Sequence, residues 1–198
     1  MILSQVNLRA AVEAGQIGFD PPLEDGQWGE ASVDLRLGFS FTRLAGSRSI
    51  TISVSEGLGG LPAGIWATKE LKAKDVLGKP ERFVLDPGEF ILALTYESIR
   101  VPNNMIALIE GRSTYARVGL SMHQTAPWIQ PGWSGPIVLE IMNSGPFRIE
   151  LAPVIDRPCQ LTFFELKTEL PERLGYGSRP GDRYQDQTHP LVHPERGT

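Results

Sequence analysis

The sequence predicts an all-β (β-rich) protein with one helix of real length at its N-terminus. Three observations carry that prediction. Glycine (21) and proline (16) together make 37 of the 198 residues, too much punctuation for a helix bundle and suited to short strands joined by turns. Apolar and polar residues alternate with period two at 32–37 and again at 137–143. Only residues 4–14 (SQVNLRAAVEA) have helical spacing: Ser4 is placed to cap, Leu8, Ala11 and Val12 share a face, and Gly15 can end the helix.

Beyond the helix, Pro21-Pro22 and Gly26 mark a loop. In the strand at 32–37, Val33, Leu35 and Leu37 face one way and Ser32, Asp34 and Arg36 the other, which reads as half-buried. Glycine-rich residues 45–65, around the run Ile50–Val54, read as a hairpin with an exposed arm. Residues 83–95 hold a strand, an Asp86-Pro87-Gly88 turn and a second strand, and 105–109 is a further short apolar run. From about Pro171 the character changes. Residues 1–174 read as a single β domain, and 175–198, almost without aliphatic side chains, as a tail that is disordered or that orders over a ligand. Composition alone favours disorder at the extreme C-terminus.

Composition removes several classes of function. With 41% hydrophobic and 21% charged residues the chain can build a globular core. A net charge of −4 disfavours binding to polymeric nucleic acid, although it leaves room for a local basic pocket. Cys159 is the only cysteine, so no intramolecular disulfide forms. With His123, His189 and His193 it offers none of the usual zinc spacings. No apolar run reaches the roughly 18 residues of a membrane span, and the N-terminus lacks a basic-then-apolar leader, so a cytoplasmic location and no membrane partner are expected.

Two segments can carry chemistry. In Gly111–Leu120 (GRSTYARVGL) a short helix starts with hydroxyls and free N–H groups, a ready anion site, with Arg112 beside it and Arg117 one turn on. Read locally, the same residues make a capped surface helix with two solvated arginines, and local sequence favours that version. In Thr125–Asn143 (TAPWIQPGWSGPIVLEIMN) a turn leads into a strand with Ile137, Leu139 and Ile141 on one face and Val138, Glu140 and Met142 on the other. A carboxylate among apolar neighbours tends toward a raised pKa and suits acid/base work. The plainer alternative, which local sequence again favours, is a glutamate facing solvent.

Taken together, these segments resemble the dCTP deaminase family. GRSTYARVGL is similar to its Gly-Arg-Ser-Ser-Leu-Ala-Arg-Leu-Gly-Leu string, and PGWSGPIVLEIMNSG to the turn-plus-strand bearing its essential glutamate. ASVDLRLG at 31–38 matches its amino-terminal strand, and YGSRPGDRYQDQ at 176–187 its closing segment. The resemblance spans nearly the whole chain in the expected order.

The resemblance implies a distorted jelly-roll (β-clip) fold of the dUTP diphosphatase type, a homotrimer with sites at subunit boundaries, and zinc-independent conversion of dCTP to dUTP and ammonia. Glu140 would then be the general base, with Ser113 and Arg117 positioning it and the water, and the backbone carbonyl near Ala126 holding that water. Arg112 and Thr114 would hold phosphates. Tyr176, Arg183 and Gln187 would contact the triphosphate or the base, the tail acting as a lid, and Gln130 and Val138 would be further substrate contacts. Mg2+ would arrive on the triphosphate, and dTTP would be a feedback inhibitor. One departure is Gln130, which stands where the family usually has an aspartate at the sugar, and another is Arg183, which replaces a lysine. Gln130 weakens a second reading, a dUTP diphosphatase or bifunctional deaminase-diphosphatase, more than the first. A third reading, a non-catalytic trimeric nucleotide-binding protein, has no need of Ser113, Arg117 and Glu140 together. A modified or less phosphorylated cytosine nucleotide stays open as the substrate.

Overall fold

A computed structural model of the chain describes residues 1–44, 51, 65–74, 78–182 and 184–191. The glycine-rich hairpin expected at 45–65 lies outside them, save for Thr51 and Ile65, and Arg183 lies outside as well. In chain order the elements are α1 (Gln5–Glu13), β1 (Gly18–Asp20), β2 (Val33–Leu35), β3 (Leu37–Leu44), β4 (Trp66–Glu70), β5 (Phe83–Leu85), β6 (Phe90–Arg100) and β7 (Met105–Gly111). There follow α2 (Ser113–Ala116), β8 (Leu120–Ser121), β9 (Trp128–Ile129), β10 (Ser134–Asn143), β11 (Ile149–Leu151) and β12 (Cys159–Glu165). The β-rich class is as the sequence predicts.

The strands form one sheet in the order β4-β3-β6-β10-β8, with β1 added on β6, and a second in the order β2-β12-β7-β9. β5 pairs with β11 as a separate ribbon, so the Asp86-Pro87-Gly88 turn carries the chain from that ribbon into the larger sheet. Inward residues of both sheets meet in one core, among them Leu35, Ile109 and Phe163 from the smaller and Ile91, Leu139 and Ile141 from the larger. α1 adds Leu8 and Ala11, the face its spacing predicts. Ser4 does occupy the cap position of α1, but its hydroxyl makes no capping bond. Instead, the Gln5 N–H is taken by the Glu30 carbonyl at 2.7 Å, a tertiary partner that replaces the local one.

The strand expected at 32–37 is interrupted after Leu35, and the interruption overturns one assignment. Arg36 does not share an outer face with Asp34; it is 5% exposed. Its partner is Glu97, which is wholly buried and accepts from Arg36 Nε at 2.6 Å, from the Arg36 backbone N–H at 2.9 Å and from Gln27 Nε2 at 2.9 Å. Glu24 takes Arg36 Nη1 at 2.6 Å, and the guanidinium lies 4.9 Å from the Tyr96 ring centroid. Alternation cannot reveal such a residue, because its burial depends on a carboxylate 61 positions away.

Glu97 sits where β6 departs from regular pairing. Between Pro136 and Val138 the β10 register shifts, and between Leu37 and Phe41 the β3 register shifts, both against β6. The Thr95 hydroxyl fills the resulting gap: it accepts from the Ile137 N–H at 2.9 Å and donates to the Glu97 carbonyl at 2.8 Å. The Tyr96 N–H goes to the Arg36 carbonyl.

Removing one member of a buried ion pair strands the other charge without solvent. Arg36→Leu is therefore expected to destabilise the fold by about 3–5 kcal/mol, measured by urea unfolding. A loss below about 1 kcal/mol would assign the pair no more weight than a surface contact.

Candidate active site

The chain from β7 to β10 builds the region in which most of the sequence-derived residues lie. β7 ends at Gly111, and the Arg112 backbone N–H is held by the Pro158 carbonyl at 2.9 Å. α2 is then a single turn of four residues, and the chain turns at Gly119 with φ +90°. So few aligned peptide dipoles give little anion attraction. Ser113, Thr114 and Arg117 are exposed. Tyr115 turns inward and donates its hydroxyl to Asp156 at 3.1 Å; burial, then the Asp156 charge, push its phenol above the ordinary range.

Arg112 is partly covered. Its Nη1 lies 3.0 Å from Asp34 Oδ2 and donates to the Arg157 carbonyl at 3.0 Å. Burial lifts the Asp34 carboxyl above its usual range, against the opposing pull of the Arg112 and Arg157 charges.

Gly119 brings this turn against the far end of β10. A Cβ there would lie 2.3 Å from the Gly145 backbone nitrogen, and the Ser144 N–H donates to the Gly119 carbonyl at 2.8 Å. β8 then pairs with β10, Ser121 opposite Met142 and Leu120 opposite Asn143. Arg112 to Arg117 are thus tied to the strand that carries Glu140.

β10 alternates as the sequence predicts, with Ile137, Leu139 and Ile141 buried. Glu140, Val138 and Met142 occupy the half-buried outer face. The Glu140 carboxylate has a partner from outside its strand: its Oε2 accepts from the Gln124 backbone N–H at 3.0 Å. The Glu140 N–H donates to the Met122 carbonyl, and Gln124 Nε2 donates to the Glu140 carbonyl at 3.2 Å and to Ser121 Oγ at 3.3 Å. Gln124 thus brackets Glu140 on both its backbone and its carboxylate. Sequence reasoning missed it, since no spacing rule ties two residues that meet only beyond the end of a two-residue ladder. Beside it His123 Nε2 lies 3.1 Å from Glu110 Oε2. Ala126 is exposed on the loop before β9.

The remaining candidates gather at the other end of β10. The Tyr176 N–H donates to the Pro131 carbonyl at 2.7 Å, its ring lies 5.2 Å from that of Trp133, and its hydroxyl accepts from the Tyr184 N–H at 3.2 Å. The Asp186 N–H donates to the Ser134 carbonyl at 3.0 Å, and the Gln185 amide bridges Ser134 and Gly132. Gly132, φ +86°, is required there, since a Cβ would stand 2.8 Å from the Tyr176 nitrogen. Tyr176, Gln185 and Asp186 are therefore docked on the 131–135 turn of their own chain. Gln130 is exposed at the rim of a cleft of about 160 Å³ shared with Leu174, Tyr176, Arg179 and Asp182. Gln187 Nε2 donates to the His189 carbonyl. Ser134 and Glu140 are six positions apart on β10, about 20 Å at the rise of an extended strand. The structure thus ties the turn bearing Arg112, Ser113, Thr114 and Arg117 to the Asn143 end of the strand that carries Glu140, and sets Gln130 beside Tyr176 at the Ser134 end.

The antiparallel β architecture defines the class. A crystal structure of 2'-deoxycytidine 5'-triphosphate deaminase from Agrobacterium tumefaciens superimposes with a TM-score of 0.60 at 25% identity, covering 82% of this chain and 47% of that one. The family profile described as dCTP deaminase-like matches residues 2–166. A dCTP deaminase from Rhodospirillum rubrum is 34% identical over 199 residues, with 96% of this chain and 95% of that protein covered. A protein of Methanosphaera stadtmanae named dCTP deaminase, dUMP-forming, is 36% identical over 191 residues, with 96% and 92% covered. The chain belongs to the dCTP deaminase-like family.

Gly119→Ala is expected to cost roughly 2–4 kcal/mol, through left-handed backbone strain added to a clash with backbone that has no room to yield. Gly15→Ala, at φ +70° with open space around it, isolates the strain alone and should cost about 1–2 kcal/mol. Urea unfolding of both variants checks this, and equal losses would remove the close approach of Gly119 to Gly145 from the account.

Proposed function

We propose that the chain is a dCTP deaminase that hydrolyses dCTP, as its magnesium complex, to dUTP and ammonia without zinc. The observation that carries the reading is the pairing of β8 with β10, which ties the Arg112–Arg117 turn to the strand bearing Glu140. Membership of the family supports the substrate class.

Water is a poor nucleophile at C4 of cytosine, and the ring must accept charge as it is attacked. Glu140 takes one proton from the water as its oxygen bonds to C4 and delivers it to the ring nitrogen N3, then takes the second from the new C4 hydroxyl and delivers it to the departing amine. The C4–N bond breaks, ammonia leaves and a carbonyl remains at C4. Ser113 and Arg117 hold the water and the glutamate in line, and the carbonyl near Ala126 accepts the water's other hydrogen bond. Gln124, fixed on both sides of Glu140, keeps the carboxylate at one height on the strand. Arg112 and Thr114 bind phosphate oxygens, Arg112 as a planar fork. Gln130 and Val138 contact the nucleoside, and the tail closes over the nucleotide through Tyr176, Arg183 and Gln187.

A homotrimer with its sites at subunit boundaries fits this assignment. Within one chain Glu140 is half-buried, and the docked tail lies about 20 Å along the strand, so a neighbouring copy completes the enclosure. dTTP, which shares the triphosphate and the sugar, is the expected feedback inhibitor, and the product enters pyrimidine deoxynucleotide metabolism.

The Methanosphaera stadtmanae relative, named dUMP-forming, favours a second reading in which dUTP is cleaved further to dUMP and pyrophosphate. Gln130, uncharged where an aspartate would help orient a water toward phosphorus, argues against it. Following ammonia and pyrophosphate together from dCTP and magnesium separates the two. Ammonia alone is expected; both products would establish the second reading, and neither would overturn the deaminase assignment.

A further inference from the structure

The geometry points to Asp34 as a positioning residue that clamps one corner of the Arg112 guanidinium and leaves its other edge open to the triphosphate. The inference rests on the proposed function, because it takes Arg112 to be a phosphate ligand. It concerns a residue to which the sequence assigns nothing beyond a place on a strand.

Three contacts carry it. Arg112 Nη1 is taken twice, by Asp34 Oδ2 at 3.0 Å and by the Arg157 carbonyl at 3.0 Å. Among the described residues Nε and Nη2, the pair of parallel donors that matches two oxygens of a phosphate, have no protein partner. The Arg112 backbone is fixed as well, by the Pro158 carbonyl. Asp34 is itself held firmly. β2 pairs with β12, Asp34 opposite Gln160, its carbonyl accepts from Gln27 Nε2 at 2.8 Å, and its side chain is only 15% exposed. A flexible arginine on the surface loses rotamer freedom when it binds an anion. One already clamped has met that cost in the fold, so the clamp raises affinity without touching the ligand.

Charge alone predicts the opposite sign. Asp34 is an anion beside Arg112 and Arg157, so neutralising it makes the site more positive and should tighten triphosphate binding. Positioning predicts that the same change weakens binding, which makes the two accounts separable.

The test measures binding of inorganic tripolyphosphate, with magnesium, by calorimetry to the unaltered full chain and to Asp34→Asn, Asp34→Glu, Arg112→Gln and the Asp34→Asn/Arg112→Gln pair. The KM and kcat for dCTP are measured on the same proteins. Asp34→Asn is expected to weaken tripolyphosphate binding roughly tenfold and to raise KM by a similar factor while kcat changes little. Asp34→Glu should recover part of the loss, and the double variant should bind no more weakly than Arg112→Gln alone. Unchanged or tighter binding by Asp34→Asn, losses that simply multiply in the double variant, or no tripolyphosphate binding by the unaltered chain would each overturn the proposal. Failure of the unaltered chain to release ammonia from dCTP would instead overturn the proposed function, and the tripolyphosphate cycle would still decide the role of Asp34.

Discussion

Glu97 is an ionisable side chain with no exposure to solvent, and the surrounding structure is organised to make that tolerable. Arg36 supplies the opposite charge and Gln27 a further donor, from positions 61 and 70 residues before the carboxylate they meet. β6, the strand that carries Glu97, pairs with β1, β3 and β10, and its pairing with β10 shifts register next to the buried charge. The Thr95 hydroxyl replaces the missing ladder bond at Ile137, one residue before Val138 and three before Glu140. The outer face of β10 therefore takes its position from a polar knot in the core rather than from apolar packing alone.

Much of the fold is legible in the sequence because it rests on local periodicity. The alternation at 137–143 is reproduced in the burial of β10, and the helical spacing of 4–14 in α1. The positions that could not be read are those whose environment is supplied from a distance. Arg36 alternates as an outward residue yet is buried, because Glu97 meets it from β6. Ser4 is a good cap by type, but Glu30 reaches the helix start first. In the polar segment after Gly175, Tyr176 and Asp186 donate backbone N–H groups to the Pro131 and Ser134 carbonyls, a contact that composition does not encode.

The candidate site divides in the same way. The motif segments carry Arg112 to Arg117 and Glu140 openly, and the resemblance to a family assigns them roles. Gln124 and Asp34 came to notice only through the structure, since each acts on a motif residue from a strand or loop remote in sequence. In the proposed function both act by holding another side chain in place rather than by offering a new group to the ligand. The candidates occupy two places along β10, since Ser134 and Glu140 are six positions apart, about 20 Å at the rise of an extended strand.

The most direct measurement is made on Glu140→Gln, a nearly isosteric change that removes the base and keeps the size of the side chain. Nucleotide affinity is measured by calorimetry with dCTP, and turnover by ammonia release, on the same preparation. The account predicts an affinity within a fewfold of the unaltered chain and a rate of ammonia release lower by at least about a hundredfold. Ammonia release at an unchanged rate would contradict it and remove Glu140 from the chemistry.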